Sequence, residues 1–272
     1  MDARLQRRVQ RYGWDLAAHD YDALWHAQLA AAQSAVLAAA ALAPGEQALD
    51  VACGTGLVTL DAARAVGPTG LVLGIDLSGG MVDRARQRVR ERTVSNIDVA
   101  RMDAEQLTLP DAGFDVVLCV LGLMYMPDPE RGLCEMRRVL RPGGRLVLAV
   151  WGERARCGWS AVFDIVDTEV ASEVCPLFFR LGSGDALARA CDKSGFAVVV
   201  PRRIPTTLAY SDAEQACDAA FVGGPVALAW SRFDAATRSR ARDRYLTAIE
   251  PWRHGAGYRV PGEFVVVTAR RP

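Results

Sequence analysis

One short stretch, Leu49-Asp50-Val51-Ala52-Cys53-Gly54-Thr55-Gly56, constrains the fold of this chain more than any other. An apolar run ends there in an acid and a G-x-G turn, and Gly74-Ile75-Asp76-Leu77-Ser78 later ends a second apolar run in an acid. Glycines at such a turn let backbone N–H groups approach a ligand, because no Cβ blocks them. An acid that closes the next parallel strand can accept hydrogen bonds from both hydroxyls of a ribose. The two motifs therefore predict a nucleotide-binding site in an α/β fold.

The hydrophobic pattern extends this prediction along the chain. Apolar runs alternate with helical patterns from about residue 46 to 150, which is typical of a parallel sheet built from βαβ units. The fold class is therefore α/β, with a Rossmann-like, doubly wound and mostly parallel seven-stranded sheet. The strands that we predict are Gln47–Val51, Leu71–Asp76, Ile97–Arg101, Phe114–Val120, Arg145–Val150, Ala197–Ile204 and Phe264–Ala269.

Helical segments are expected on both sides of this core within one domain. Residues 1–43 are predicted to form an N-terminal helical cover over the core, which spans residues 44–204. Residues 205–262 separate the last two strands and are predicted to form a helical lid insertion. Residues 263–272 then supply the last strand of the core.

The charge balance argues against a nucleic-acid partner. The chain has 272 residues, with 32 basic and 32 acidic side chains, so its formal net charge is zero. It lacks the basic excess that neutralises phosphates. Lys193 is the single lysine, and this preference for arginine, with the alanine richness, is typical of a GC-rich bacterial genome. We therefore expect no nucleic-acid partner.

The cysteines and the longest apolar segment indicate a cytoplasmic protein. The seven cysteines are odd in number and scattered, and they show no metal-ligand spacing, so we expect free thiols and no metal site. The longest apolar segment, Ala27–Ala43, is mostly alanine and is interrupted by two glutamines and a serine. It predicts a soluble helix and no membrane insertion.

Two classes of enzyme use such a pair of motifs, the nicotinamide dehydrogenases and the S-adenosylmethionine (SAM) methyltransferases. In a dehydrogenase the turn runs G-x-G-x-x-G, and the third glycine lets the helix pack closely on the strand. This chain has Thr59 at the third position. Asp50 also precedes the turn, where it suits the ammonium group of SAM better than a pyrophosphate. The residues therefore favour a methyltransferase.

A wider set of motifs makes this interpretation specific. Six motifs occur in order over about 100 residues, namely Asp50–Gly56, Gly74–Ser78, Met102–Glu105, Pro110–Val117, Leu123–Pro129 and Arg138–Leu146. In these motifs the chain resembles the class I SAM-dependent methyltransferases, in the broad group that includes the C-methyltransferases of ubiquinone and menaquinone biosynthesis. The resemblance implies SAM as the cofactor.

The resemblance also implies roles for particular residues. Asp50 would lie near the ammonium group of SAM, Asp76 would hold the ribose hydroxyls, and Asp103 would accept a hydrogen bond from the adenine amine. Gly54 and Gly56 would let the chain pass close to the cofactor. The other residues expected to contact SAM are Tyr21, Ala52, Leu77, Met81, Ala104, Cys119 and Val120.

The catalytic residues are less constrained. Tyr125 could hydrogen-bond a substrate hydroxyl, and His254 in the insertion and His19 near the N-terminus are candidates for a general base. An acceptor that is already nucleophilic would require no base at all. Family members often carry histidines where this chain has Met124 and Tyr125, which removes the usual signal for a base.

The predicted function is methyl transfer from SAM to a small-molecule acceptor at O, C or N, by in-line displacement. Many aromatic residues in and before the insertion favour an aromatic or lipophilic acceptor. Two alternatives stay open, methylation of a quinone ring carbon and a non-catalytic SAM-binding partner or regulatory protein. A monomer or a homodimer is expected.

Overall fold

The computed structural model describes residues 3–170, 178–198 and 201–272. Residues 199 and 200 of the predicted strand Ala197–Ile204 lie outside the described residues, as does Cys175. The other six cysteines are free thiols, in agreement with the sequence-based expectation for those positions.

The chain begins with two helices and continues as alternating strands and helices. The N-terminal helices are α1 (Ala3–Ala17) and α2 (Tyr21–Ala40). The core follows as β1 (Gln47–Val51), α3 (Leu57–Val66), β2 (Leu71–Asp76), α4 (Gly79–Arg92), β3 (Ile97–Arg101), β4 (Phe114–Val120), α5 (Pro129–Val139) and β5 (Leu140–Trp151). The remaining elements are α6 (Ala161–Val170), α7 (Ala186–Lys193), β6 (Ala197–Val198), β7 (Arg202–Tyr210), α8 (Ala213–Phe221), α9 (Ala227–Arg232), α10 (Ala235–Ile249), β8 (Arg253–His254) and β9 (Gly257–Arg270).

The strands form one mixed sheet that confirms the predicted fold class. Seven strands follow the order β3-β2-β1-β4-β5-β9-β6, while β7 and the two-residue β8 also pair with β9. The first five strands are parallel, and β9 runs antiparallel to β5 and β7. The chain order reverses between β1 and β4, and open α/β sheets bind ligands at such a point, outside the carboxyl ends of the strands.

The first four strands have the predicted bounds, and two of them, β1 and β4, are largely buried. Four of the five residues of β1 and five of the seven residues of β4 are buried, so their apolar runs are nearly continuous. The fifth strand begins earlier than predicted, at Leu140, and its pairing with β4 changes register between Phe114 and Val116.

The predicted insertion over 205–262 is shorter in the structure. Residues 205–210 extend β7 and residues 257–262 extend β9, so the connection between the two strands covers 211–256. Pro205 and Pro261 obscured these strands in the sequence, because proline cannot donate to a strand ladder. Proline is tolerated here because β7 pairs only with β9, and β9 pairs with β5 only from Phe264 onward.

A helix that spans a bilayer must be both long and apolar. Within residues 3–170, 178–198 and 201–272, no helix combines the length and the hydrophobicity needed to span a membrane.

Candidate functional site

A large cavity lies at the carboxyl ends of the parallel strands. It encloses about 1020 Å³, including space that is open to solvent. One part, which we call the cofactor half, is lined by Ala52, Gly54, Asp76, Leu77, Met81, Asp103 and Ala104. Another part, the aromatic half, is lined by Trp25, Trp151, Trp159, Gly224 and Pro225. All seven residues of the cofactor half are among the residues that the sequence predicts to contact SAM.

The Asp76 carboxylate organises the glycine turn. It accepts a hydrogen bond from the Gly54 N–H through Oδ2 (2.9 Å) and from the Ser78 N–H through Oδ1 (2.9 Å). Gly54 has a φ of +55°, and a Cβ built on it would meet no protein atom within 4 Å. The turn is therefore held by Asp76 on one side and is open to a ligand on the other, as a nucleotide site requires.

Asp50 lies deeper, under the same turn. It lines a smaller adjoining cavity of about 360 Å³, which also shares Tyr21 and Gly54 with the large one. The Thr59 hydroxyl donates a 2.6 Å hydrogen bond to Asp50 Oδ2. Thr59 stands at the position where a dehydrogenase fingerprint has its third glycine. Here the Thr59 hydroxyl holds the Asp50 carboxylate, which is predicted to face the ammonium group of SAM.

Burial sets the protonation of both acids. Loss of solvation raises the pKa of Asp50 from 3.8 to about 7, although the Thr59 hydrogen bond opposes this rise. Burial likewise raises the pKa of Asp76 from 3.8 to about 6, against the lowering effect of the Ser78 and Gly54 N–H groups. A bound ammonium or ribose hydroxyl would stabilise the ionised forms, so these two acids fit a cationic, hydroxylated ligand.

The predicted adenine side is closed by an ion-pair cluster. Asp103 Oδ1 accepts the Glu105 N–H (2.9 Å), and Asp103 Oδ2 lies 3.3 Å from Arg7 Nε. Arg7 also pairs with the buried Glu105 carboxylate at 2.5 Å. Leu77 and Met81 line the same part of the cavity. Apolar side chains beside an acid suit a flat base with an exocyclic amine.

Backbone strain occurs where the cofactor half begins. Ala52 and Leu121, which follow β1 and β4 and line the cavity, have φ angles of +57° and +63°. Such conformations are uncommon for residues with a Cβ and concentrate at functional sites. A Cβ on Gly122 would lie 2.3 Å from the Ala52 Cβ, so only glycine permits the two strand ends to approach this closely.

The N-terminal helices are joined to the core by polar contacts around the cofactor half. Asp22 Oδ1 accepts the Thr55 hydroxyl at 2.5 Å, and Asp22 also pairs with Arg88. Asp15 accepts the Ser78 hydroxyl (2.6 Å). Sequence reasoning missed these contacts, because an acid on an amphipathic helix gives no signal of its partner on a distant loop.

Aromatic rings connect the two halves. Trp14 packs edge-on against Tyr21 (5.8 Å between centroids) and against Tyr125 (5.1 Å). Tyr21 lines both cavities, and burial raises its pKa, so its phenol stays protonated. Tyr125, predicted to contact the acceptor, lies in a short 3₁₀ turn over Leu123–Tyr125 and lines the large cavity.

Five predicted site residues lie outside the large cavity, and one of them, Asp50, lines the adjoining smaller cavity. His19 is exposed and bonds Asp20, and His254 is exposed in β8; neither of these predicted bases lines the cavity, and their role stays a prediction. Gly56 begins α3 with a φ of +81°. Cys119 is fully buried, and the neighbouring Val120 lines the cavity instead.

Comparison with known proteins agrees with this geometry. A family model described as a methyltransferase domain matches residues 49–148. This range runs from β1 into β5 and contains the glycine turn, Asp50, Asp76 and Asp103.

Two curated relatives match over parts of their length. The chain is 38% identical over 190 residues to an uncharacterized 37.1 kDa protein in transposon TN4556 of Streptomyces fradiae, which covers 68% of this chain and 52% of that protein. It is 43% identical over 103 residues to a demethylmenaquinone methyltransferase of Geobacillus sp. (strain WCH70), which covers 38% of this chain and 44% of the relative. The chain thus spans about half the length of the curated relatives it matches.

Solved structures share the fold. A SAM-dependent methyltransferase from Aquifex aeolicus aligns with a TM-score of 0.51 and 20% identity, over 74% of this chain and 92% of that one. The [4+2]-cyclase SpnF aligns with a TM-score of 0.59 and 23% identity, over 88% and 79%. These identities show the fold and not a shared reaction. Taken with the glycine turn, the strand-end acids and the curated relatives, the family model shows that residues 49–148 form a domain of the class I SAM-dependent methyltransferases, whose cofactor is SAM.

Proposed function

We propose that the protein transfers the methyl group of SAM to an oxygen, carbon or nitrogen atom of a small aromatic or lipophilic acceptor. One observation carries the proposal, namely that a polar cofactor half and an aromatic half line one continuous cavity. The family accounts for the first half, and a flat or lipophilic ligand is the complement of the second.

The transfer is proposed to be an in-line displacement. The sulfonium supplies an electrophilic methyl group, so the lone pair of the acceptor atom forms the new bond while the carbon–sulfur bond breaks and its electrons pass to sulfur. The protein holds the acceptor near 3 Å from the methyl carbon and excludes water. Asp50, Asp76 and Asp103 would fix the donor, and the tryptophans of the aromatic half would fix the acceptor.

Proton removal would depend on the acceptor. Among the described residues that line the large cavity there is no histidine, and the tyrosines are Tyr21 and Tyr125. Tyr125 packs between Trp14 and Phe178, with centroids at 5.1 and 5.3 Å, which fixes its ring. We propose that it orients an acceptor hydroxyl, and that the acceptor loses its proton to solvent because it ionises readily.

Two alternatives remain proposals beside this one. Similarity to a demethylmenaquinone methyltransferase favours a quinone ring carbon as the methylated atom. A non-catalytic SAM-binding protein would retain the cofactor half without turnover. In each case we place the protein in the cytoplasm, as a monomer or a homodimer.

The test combines binding with turnover. Calorimetry with S-adenosylhomocysteine should show micromolar binding, with NADH and NADPH as comparators that do not bind. Labelled SAM is then offered with phenols, hydroquinones and amines, and products are analysed by mass spectrometry for the addition of one methyl group. A labelled product supports the proposal and identifies the atom. Tight cofactor binding without product from any acceptor class would support the non-catalytic alternative instead.

A further inference from the structure

Two indole N–H groups in the aromatic half have no hydrogen-bond acceptor. Trp25 Nε1 and Trp159 Nε1 are shielded from solvent, and neither finds a partner in the described part of the chain. The two side chains are only 5% and 2% exposed. Buried donors without a partner are rare in native proteins, and each one requires an explanation. Both of these residues line the same cavity, so a ligand is the natural source of the missing acceptor.

The two indole rings that carry these donors are neighbours. The ring centroids of Trp25 and Trp159 are 6.0 Å apart, with an interplanar angle of 72°. Trp151 packs against both, at 6.3 Å from Trp25 and 4.8 Å from Trp159. The rings support one another, so the donors belong to a built wall and not to mobile side chains.

Gly223 lies against the N–H edge of Trp25. A Cβ built on Gly223 would lie 3.2 Å from Trp25 Nε1, closer than an ordinary contact. The next two residues, Gly224 and Pro225, line the cavity. A side chain at position 223 would therefore crowd the indole N–H of Trp25.

The chemistry of this wall selects for oxygen. An indole N–H donates and cannot accept, and the residues that define the aromatic half include no charged side chain. We propose that Trp25 and Trp159 form a paired donor site that recognises a carbonyl or phenolic oxygen on the ring system of the acceptor. Acceptors such as aromatic ketones, quinones and phenols are then preferred over hydrocarbons and amines of the same shape. The inference rests on the proposed function only in taking this ligand to be the methyl acceptor.

The test observes the two N–H groups directly and requires no turnover. The chain contains six tryptophans, so protein labelled with indole-¹⁵N tryptophan and saturated with S-adenosylhomocysteine gives six indole signals by NMR. Substitutions Trp25→Phe and Trp159→Phe assign two of them. The probes are three matched pairs, α-tetralone and tetralin, 9-fluorenone and fluorene, and benzophenone and diphenylmethane.

At least one ketone should move both assigned signals to lower field, and its hydrocarbon partner should not. Trp25→Phe and Trp159→Phe should each weaken ketone binding about threefold to tenfold, the effect of one neutral hydrogen bond, and leave hydrocarbon binding unchanged. Trp230→Phe is the matched control, because Trp230 stacks on Phe221 at 4.5 Å and is not among the cavity-lining residues.

The proposal is overturned if no ketone moves either signal, or if ketone and hydrocarbon move them equally. These results are independent of the proposed function. If the indole signals move but no methylated product forms, the paired donor site is supported and the proposed activity is not. If methylated product forms but neither indole signal moves, the activity is supported and the paired donor site is not.

Discussion

The cofactor half and the aromatic half of the cavity are assembled in different ways. The acids in and beside the cofactor half, Asp50, Asp76 and Asp103, lie in or just after β1, β2 and β3, and each follows from a local sequence pattern. The aromatic half combines a helix residue, Trp25, with Trp151 at the end of β5, Trp159 in a short turn and a glycine-rich segment before α9. The comparison teaches that cofactor chemistry is encoded in adjacent strands, while acceptor chemistry depends on how distant segments pack.

The largest expected effect tests the cofactor half alone. Asp76→Ala removes the carboxylate that orders Gly54 and Ser78 and that is predicted to bind the ribose. Charged hydrogen bonds contribute about 1.5–3 kcal/mol, so affinity for S-adenosylhomocysteine should fall at least about tenfold in calorimetry. Asp98→Ala, an exposed acid on the neighbouring strand β3, is the control. Unchanged affinity in Asp76→Ala would remove this residue from the binding site.

The second prediction separates the two buried acids by pH. Because their pKa values are raised to about 7 for Asp50 and about 6 for Asp76, both must lose a proton to bind as carboxylates. Affinity for S-adenosylhomocysteine should therefore rise up to about tenfold as the pH increases through this range. 5′-Methylthioadenosine lacks the amino-acid part, so it should respond only to the lower of the two ionisations.

Stability should change in the opposite direction in the ligand-free protein. Both folded-state pKa values lie above the ordinary 3.8, so the folded protein holds protons that the unfolded chain releases. The contribution of these acids to the free energy of unfolding is therefore present at low pH and is lost as the pH rises through about 6 and 7. Urea titrations of wild type and Asp50→Asn measure it. Identical pH profiles would show that Asp50 ionises normally.

A smaller effect is expected where the N-terminal helices contact the cofactor half. Asp22→Asn weakens the contacts of α2 with Thr55 and Arg88, so S-adenosylhomocysteine should bind about threefold to tenfold more weakly. Asp20→Asn is the matched control, since Asp20 contacts the exposed His19. If both variants bind equally well, α2 covers the site without stabilising the bound state.

The smallest effects concern the boundary between the halves. Tyr125→Phe should leave cofactor binding unchanged and lower turnover of a hydroxylated acceptor about threefold to tenfold, from loss of one hydrogen bond. His19→Ala and His254→Ala should change turnover by less than about twofold, because both imidazoles are exposed outside the cavity. A large loss in either histidine variant would require the chain to rearrange when the acceptor binds.

Much of the fold and of the cofactor half could be predicted from the sequence. The bounds of β1 to β4 follow from their short, mainly apolar segments, and Asp50, Asp76 and Asp103 lie at or just after the ends of β1, β2 and β3. Such features are local, because a buried parallel strand and a glycine turn each impose their own residue pattern.

Other features followed only from the tertiary structure. The lengths of β7 and β9 depend on pairing between residues distant in the sequence, and their prolines concealed them. That His19 and His254 are exposed and do not line the cavity became known only from the structure. The unpaired N–H groups of Trp25 and Trp159 have no sequence signal at all, since whether an indole finds a partner depends on every neighbour that packs around it. The sequence thus determined the cofactor class through local strand and turn chemistry, and the packing of distant aromatic segments decided the shape and polarity of the aromatic half, where we propose that the acceptor binds.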